Sequence, residues 1–175
     1  SMLGSIYYYD IVKNTNDEAK NLVENFNVIS GLVVADNQQA GRGRFGKKWN
    51  SIKGNFMGSL FFPVKNYDEI NIMQYHSLNI ILKCLKKIFK KNIFKVKEPN
   101  DILINHKKVS GILIESFLFY NQLYVIIGIG INMTKHPKII GYKTTNLHKE
   151  FKIKVGILEF SKILLKEMES SYKCS

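Results

Sequence analysis

The run DILINHKKVSGILIESFLFYNQLYVIIGIGINM, Asp101 to Met133, is almost entirely β-forming. It is broken twice by short polar turns, Asn105-His106 and Tyr120-Asn121-Gln122. Runs of β-branched and aromatic residues around such breaks read as strands joined by tight hairpins, which makes neighbouring strands antiparallel. Working outward, IFKVK (Ile93–Lys97) adds a short strand upstream. Before it, Met73, Leu78, Ile81, Leu82, Leu85, Ile88 and Phe89 recur at helical spacing and predict an amphipathic helix from Glu69 to Lys91. Further strands are expected at SIYYYD (Ser5–Asp10), GLVVAD (Gly31–Asp36) and NFMGSLFFPV (Asn55–Val64). A helix over NTNDEAKNLVENF starts at Asn14 or Thr15 as N-cap, and a last one runs from about Ile157 to Tyr172. Hairpins with helices between groups of strands predict an α+β fold with a mixed, mainly antiparallel β-sheet and flanking helices. With no internal repeat or linker, residues 1–175 read as a single domain.

The chain carries 26 Lys and Arg against 14 Asp and Glu, a formal charge of +12, and only Arg42 and Arg44 are arginines. The lysines are spread along the chain, so the charge points to acidic or phosphorylated partners without choosing among them. No apolar run reaches membrane-spanning length and no signal core is present, so a cytoplasmic protein is expected. Ser1-Met2 reads as an addition ahead of the native start. Cys84 and Cys174 lie far apart, and Cys84, on the predicted helix, reads as a buried, inert thiol. His76, His106, His136 and His148 show no metal spacing.

Four segments could carry chemistry. In GRGRFGKKW (Gly41–Trp49) the only two guanidinium groups stand between glycines, where a planar fork of donors suits carboxylate or phosphate. The same segment also reads as a basic surface turn, and its glycines and cations predict a mobile loop. KEPND (Lys97–Asp101) is a turn able to hold a carboxylate at a sheet edge, or an ordinary strand connection. In KKVSGILIE (Lys107–Glu115), Gly111 breaks a β-rich run, as at a bulge or a close approach. In GIGIN (Gly128–Asn132) two glycines strip one strand face of side chains, which more often accommodates packing than forms a binding wall.

Taken together and in this order, the four segments resemble the catalytic domain of biotin protein ligases, with its GRGRxGRxW loop, KWPND turn, KxxGIL strand and GxGIN strand. The match runs from about Ile6 to Asn132. The resemblance implies an enzyme that uses ATP, with Mg²⁺, to form biotinyl-5′-AMP and then biotinylates a lysine of a biotin carboxyl carrier domain. It assigns Lys108, Arg42 and Asp101 to catalysis, with Asp101 also a metal ligand. It implies biotin contacts from Asn14, Thr15, Gln38, Gly41, Arg42, Lys108, Gly111 and Gly128. The ATP or adenylate contacts it implies are Arg42, Arg44, Trp49, Asn100, Lys108 and Asn132. From the residues alone Trp49 reads equally well as a core aromatic.

The sequence departs from the pattern at three places: Asn14 begins the family's Ser-Thr-Asn triplet, Lys47 replaces an arginine, and Glu98 replaces the tryptophan of KWPND. Lys107, the neighbour of Lys108, is expected on the other face of its strand. No N-terminal helix-turn-helix and no C-terminal small β-barrel are expected, and exposed strand edges offer a homodimer contact. A lipoate or octanoate ligase or transferase of the same fold is the competing enzyme. A basic nucleic-acid-binding module is the competing class, whereas the resemblance implies no nucleic acid and no membrane partner.

Overall fold

The computed structural model describes residues 3–91 and 93–173; Ser1, Met2 and Cys174 lie outside them. In chain order the elements are β1 (Ser5–Val12), α1 (Thr15–Phe26), β2 (Gly31–Gln38), β3 (Phe56–Val64), α2 (Tyr67–Phe89), β4 (Phe94–Lys97), β5 (Asp101–Ile104), β6 (Lys107–Phe119), β7 (Gln122–Ile131), α3 (Leu147–Phe151) and α4 (Ile157–Lys173). The strands form one sheet of order β1-β2-β3-β7-β6-β5-β4. Only the β1–β2 pair is parallel, joined by the α1 crossover, and the remaining pairs are antiparallel. The mainly antiparallel mixed sheet with flanking helices expected from the sequence is the architecture observed.

Both expected hairpins turn on left-handed residues. Asn105 and His106 have φ of 48° and 64°, and Tyr120 and Asn121 have 47° and 64°. Two successive positive φ values match the right-handed twist of the flanking strands. The second turn is therefore Tyr120-Asn121, with Gln122 already in β7. Asn14 settles the start of α1: its Oδ1 accepts from the Asp17 N–H at 2.8 Å. The five-residue α3, capped by Asn146, has no counterpart in the sequence reading, because one turn is too short to show periodicity.

Alternation along β7 sorts the layers. Ile127, Ile129 and Ile131 point into the larger core with α2 and α4, while Tyr124 and Ile126 pack under α1. Gly128 and Gly130 continue the α1 face beyond the helix start, so the sheet there is bare backbone. Cys84 is buried in the larger core, and burial pushes its thiol up to about 12, in keeping with an inert thiol. No helix among the described residues is long and apolar enough to cross a membrane.

Glu167 clamps α4 to α2: its carboxylate, in a side chain 8% exposed, meets Lys87 and lies 3.6 Å from Lys83. The hydrogen bond from Lys87 outweighs burial and holds this carboxyl below its ordinary value. A depressed folded-state pKa contributes stability above the unfolded value, lost as pH falls through the folded one. Melting curves from pH 7 down to about pH 3 should therefore drop for the wild type below the ordinary carboxylate pKa of about 4.3. Glu167→Gln should melt lower at neutral pH and show a shallower acid limb.

Candidate active site

A cavity of about 310 Å³ opens on the α1 face of the sheet, where β6 and β7 carry glycine. Register places the floor in two cross-strand rows: Asp101–Gly111–Gly130–Met57 and Leu113–Gly128–Ser59–Val33. The glycines are needed for approach: a Cβ on Gly130 would stand 2.4 Å from Trp49 Cζ2, and one on Gly128 2.5 Å from Asn16 Oδ1. The Trp49 ring packs against Gly130 and Gly111, so it walls the cavity rather than filling the core.

Lys108 enters this cavity because of a bulge. Leu103 pairs with Lys108 but the adjacent Ile102 pairs with Ser110, which leaves Val109 as the extra residue in β6. Strict alternation would put Lys108 and Gly111 on opposite faces; the bulge puts both on the cavity side. Val109 and Ser110 turn inward instead and are fully buried. Lys108 Nζ lies 3.1 Å from Asp101 Oδ1, 5.4 Å from the Trp49 ring centre and 5.6 Å from that of Tyr142. Lys107 takes the other face, as expected, and pairs with Glu150 at 3.0 Å.

Tyr142 was not singled out by the sequence. The segment around it runs beside β6, with the Lys108 N–H donating to Lys143 O and the Thr145 N–H donating to Lys108 O. Burial, then the charge of Asp101, raises the Tyr142 hydroxyl above its ordinary pKa.

The Gly41–Trp49 segment has internal order: the Gly43 N–H donates to Lys47 O at 2.6 Å and the Trp49 N–H to Gly41 O at 3.0 Å. Its tip is a short 3₁₀ turn, Arg44–Gly46, with Phe45 at φ 56° and 87% exposed. The two arginines differ. Arg42 lays one nitrogen 3.0 Å from Asp17 and the other 2.6 Å from Glu115. Burial opposes its charge, but these bonds outweigh burial and hold its pKa above the ordinary value. The fork expected to meet a ligand anion is thus engaged by the protein's own carboxylates. Arg44 is exposed and stacks only on Phe45, at 5.2 Å, among the contacts the structure gives it.

At the cavity's inner end stand Thr15, Asn16 and Gln38, with Ser59 beneath. The Thr15 N–H donates to Gln38 Oε1 at 3.1 Å, and Thr15 Oγ1 lies 2.7 Å from Ser59 Oγ. Asn14, which also borders the cavity, spends its side chain capping α1. Asn16, Ser59 and Glu115 were not assigned roles by the sequence, because their only signal is a contact between residues far apart in the chain. Asn100 is 5% exposed; its Nδ2 donates to Ile112 O at 3.0 Å while its Oδ1 has no partner among the described residues.

Two expected contacts do not reach the wall. Gly41 is buried behind the segment, with Trp49 O, Ser51 and Gln38 filling the space a Cβ would need. Asn132 is 3% exposed and accepts from Asn55 Nδ2 at 3.4 Å, outside the set of residues that line the cavity. The expected metal ligation by Asp101 also lacks support. Among the described residues no group of three His, Cys, Asp or Glu converges, and Asp101 already faces Lys108. A resident divalent ion does not fit this donor set.

With this geometry in view, the comparisons with known proteins agree. The model of the Biotin/lipoate A/B protein ligase family matches residues 8–132. The Bifunctional ligase/repressor BirA of Bacillus subtilis is 35% identical over 139 residues, which cover 75% of this chain and 41% of that protein. The Biotin–[acetyl-CoA-carboxylase] ligase of Paracoccus denitrificans is 31% identical over 71% of this chain and 52% of its own length. The chain thus spans about half or less of the length of these relatives. Among solved structures, the biotin protein ligase of Aquifex aeolicus in complex with biotin and ATP superposes with a TM-score of 0.78 at 28% identity, covering 97% of this chain and 70% of that one. The biotin protein ligase of Leishmania major with biotinyl-5-AMP shares the fold at TM-score 0.82 and 23% identity, over 93% and 72% of the two chains. A match over most of the sequence, on a sheet bared by the same glycines that the motifs contain, means that the chain belongs to the biotin/lipoate A/B protein ligase family.

Proposed function

We propose that this domain joins biotin to ATP as biotinyl-5′-AMP, releasing pyrophosphate, and then transfers the biotinyl group to a lysine of a biotin carboxyl carrier domain. The observation that carries this reading is Lys108, held by Asp101 and two aromatic rings over a glycine floor whose far end is polar. In the first step a carboxylate oxygen of biotin bonds to the α-phosphorus of ATP and the bond to pyrophosphate breaks. Lys108 would sit against the reacting carboxyl and phosphoryl oxygens and offset charge there, as a preorganised cation does. In the second step the neutral amine of the acceptor lysine bonds to the carbonyl carbon, the bond to AMP breaks, and the amine loses its proton to solvent. Any magnesium would arrive with the ATP phosphates, as part of the substrate.

Biotin also suits the cavity better than lipoate does. Thr15 and Gln38 offer polar partners at the inner end, which a cyclic urea uses and a dithiolane leaves unpaired. The relatives solved with biotin, ATP and biotinyl-5-AMP support the same reading. The test is pyrophosphate release from ATP with biotin, run beside lipoate, with and without a carrier domain. Release that depends on biotin supports the reading; release that depends on lipoate alone overturns it. Arg44, the free fork of the pair, should hold the adenylate phosphate. Arg44→Ala is expected to speed escape of biotinyl-AMP by ~10-fold or more, the scale of one lost charge-assisted hydrogen bond. Rapid dilution of preformed complex measures it.

A further inference from the structure

The polar end of the cavity has a direction, and its origin is a carboxylate that does not line the cavity. Glu115 Oε1 accepts from Arg42 Nη2 at 2.6 Å and from Asn16 Nδ2 at 2.9 Å. A carboxylate accepts only, so the Asn16 amide must turn its NH₂ toward Glu115 and its oxygen away. Leu113 O receives the same NH₂, but at 3.5 Å, the outer limit of a hydrogen bond. Asn16 Oδ1 therefore faces Ser59 Oγ at 2.6 Å. An amide oxygen also only accepts, so the single Ser59 hydroxyl hydrogen goes to it. The Thr15 hydroxyl, 2.7 Å from Ser59 Oγ, must then donate to that oxygen.

Every donor in the chain is now committed, and Thr15 Oγ1 shows the cavity only lone pairs. Gln38 is polarised the opposite way. Its Oε1 is taken by the Thr15 N–H at 3.1 Å, which leaves Nε2 to donate. Thr15, Asn16 and Ser59 are buried at 5%, 6% and 0% exposure, so bulk water does not scramble the order among them. The Glu115 side chain, 36% exposed, is held to Asn16 and Arg42 by its two hydrogen bonds. Without the carboxylate, the chain could run backwards: Asn16 NH₂ to Ser59, Ser59 to Thr15, and the Thr15 hydrogen into the cavity.

We propose that Glu115 is a positioning residue that polarises the Glu115–Asn16–Ser59–Thr15 relay, so that the cavity end accepts a ligand group carrying an N–H beside a C=O and rejects one with an oxygen in place of that N–H. The inference rests on the biotin reading, since the urea of biotin is such a group. It assigns specificity to a residue with no ligand contact. It also couples the cavity end to the arginine segment, because one oxygen of Glu115 serves both Arg42 and Asn16.

The test measures dissociation constants by calorimetry for biotin and for the two cyclic carbamate analogues, each with one ring N–H replaced by oxygen. The wild type should prefer biotin over at least one carbamate by ~10²-fold or more, as sites built to pair a polar group do. Glu115→Ala and Ser59→Ala should each bring that preference down to about tenfold or less, because a Thr15 hydroxyl free to turn can donate to the ring oxygen. Glu115→Gln should keep the wild-type preference, since donors from Arg42 and Asn16 both hold an amide oxygen in the Oε1 place. Ser59→Ala leaves the Arg42 contact untouched and decides the matter if Glu115→Ala does not fold. A wild-type preference in Ser59→Ala or in folded Glu115→Ala overturns the relay. A collapse in Glu115→Gln equal to that in Glu115→Ala also overturns it, assigning Glu115 to charge alone. A wild type that binds biotin without preference sinks the relay only, whereas one that binds none of the three ligands overturns the biotin reading as well.

Discussion

Lys108→Ala is expected to slow biotin-dependent pyrophosphate release by at least ~10²-fold, the usual cost of removing an electrostatic stabiliser. Lys107→Ala should stay within about threefold of wild type, in line with a substitution away from the chemistry. The adjacent lysines separate because the Val109 bulge seats Lys108 over the cavity while Lys107 turns to Glu150. Asp101 keeps the ammonium in place at 3.1 Å, and the Trp49 and Tyr142 rings flank it. Alanine removes the charge but leaves β6 and its backbone bonds to the Lys143 and Thr145 segment intact. Single-turnover release of pyrophosphate, with melting curves alongside, checks both variants. Equal losses in the two would mean that the bulge does not select between them.

Much of this arrangement can be seen in the bare sequence, though unevenly. Strand alternation and the two hairpin turns are local, so β5, β6 and β7 are legible, and the glycines of GIGIN mark where the sheet is bared. The side of β6 that Lys108 takes is less secure. Alternation separates it correctly from Lys107 but would also separate it from Gly111, and only the pairing with β5 reveals the extra residue at Val109. The arginines show another limit. Composition singles out Arg42 and Arg44 together, yet only the fold brings Asp17 and Glu115 to Arg42 and leaves Arg44 exposed. Tyr142 belongs to an irregular segment without periodicity, so no pattern predicts that it meets Lys108. Asn132 shows the reverse case: its motif is plain in the sequence, while only the fold shows its side chain buried beside Asn55.

Asn55→Ala should be the most destabilising of these substitutions, because one side chain closes the backbone that follows β7. Asn55 is 3% exposed, and its Oδ1 accepts from three successive N–H groups, those of Met133, Thr134 and Lys135, at 3.0, 3.1 and 3.2 Å. Its Nδ2 donates to Lys135 O at 2.9 Å and approaches Asn132 Oδ1 at 3.4 Å. Alanine would leave these donors facing a small void, and each buried donor left unpaired costs about 1–3 kcal/mol. Some water can enter, so a loss of ~3 kcal/mol or more is expected rather than the full sum. Asn55→Asp separates acceptor from shape: its carboxylate keeps the three N–H bonds but faces Lys135 O and Asn132 Oδ1 as an acceptor, so it should recover part of the loss. The same segment leads to Tyr142, so the damage should extend to the cavity. The expected pattern in urea titration is a lower midpoint with an unchanged slope. Hydrogen exchange should quicken most at Met133, Thr134 and Lys135. An Asn55→Ala protein with the wild-type midpoint would mean that these three amides find other acceptors at no cost, and that the turn after β7 holds itself.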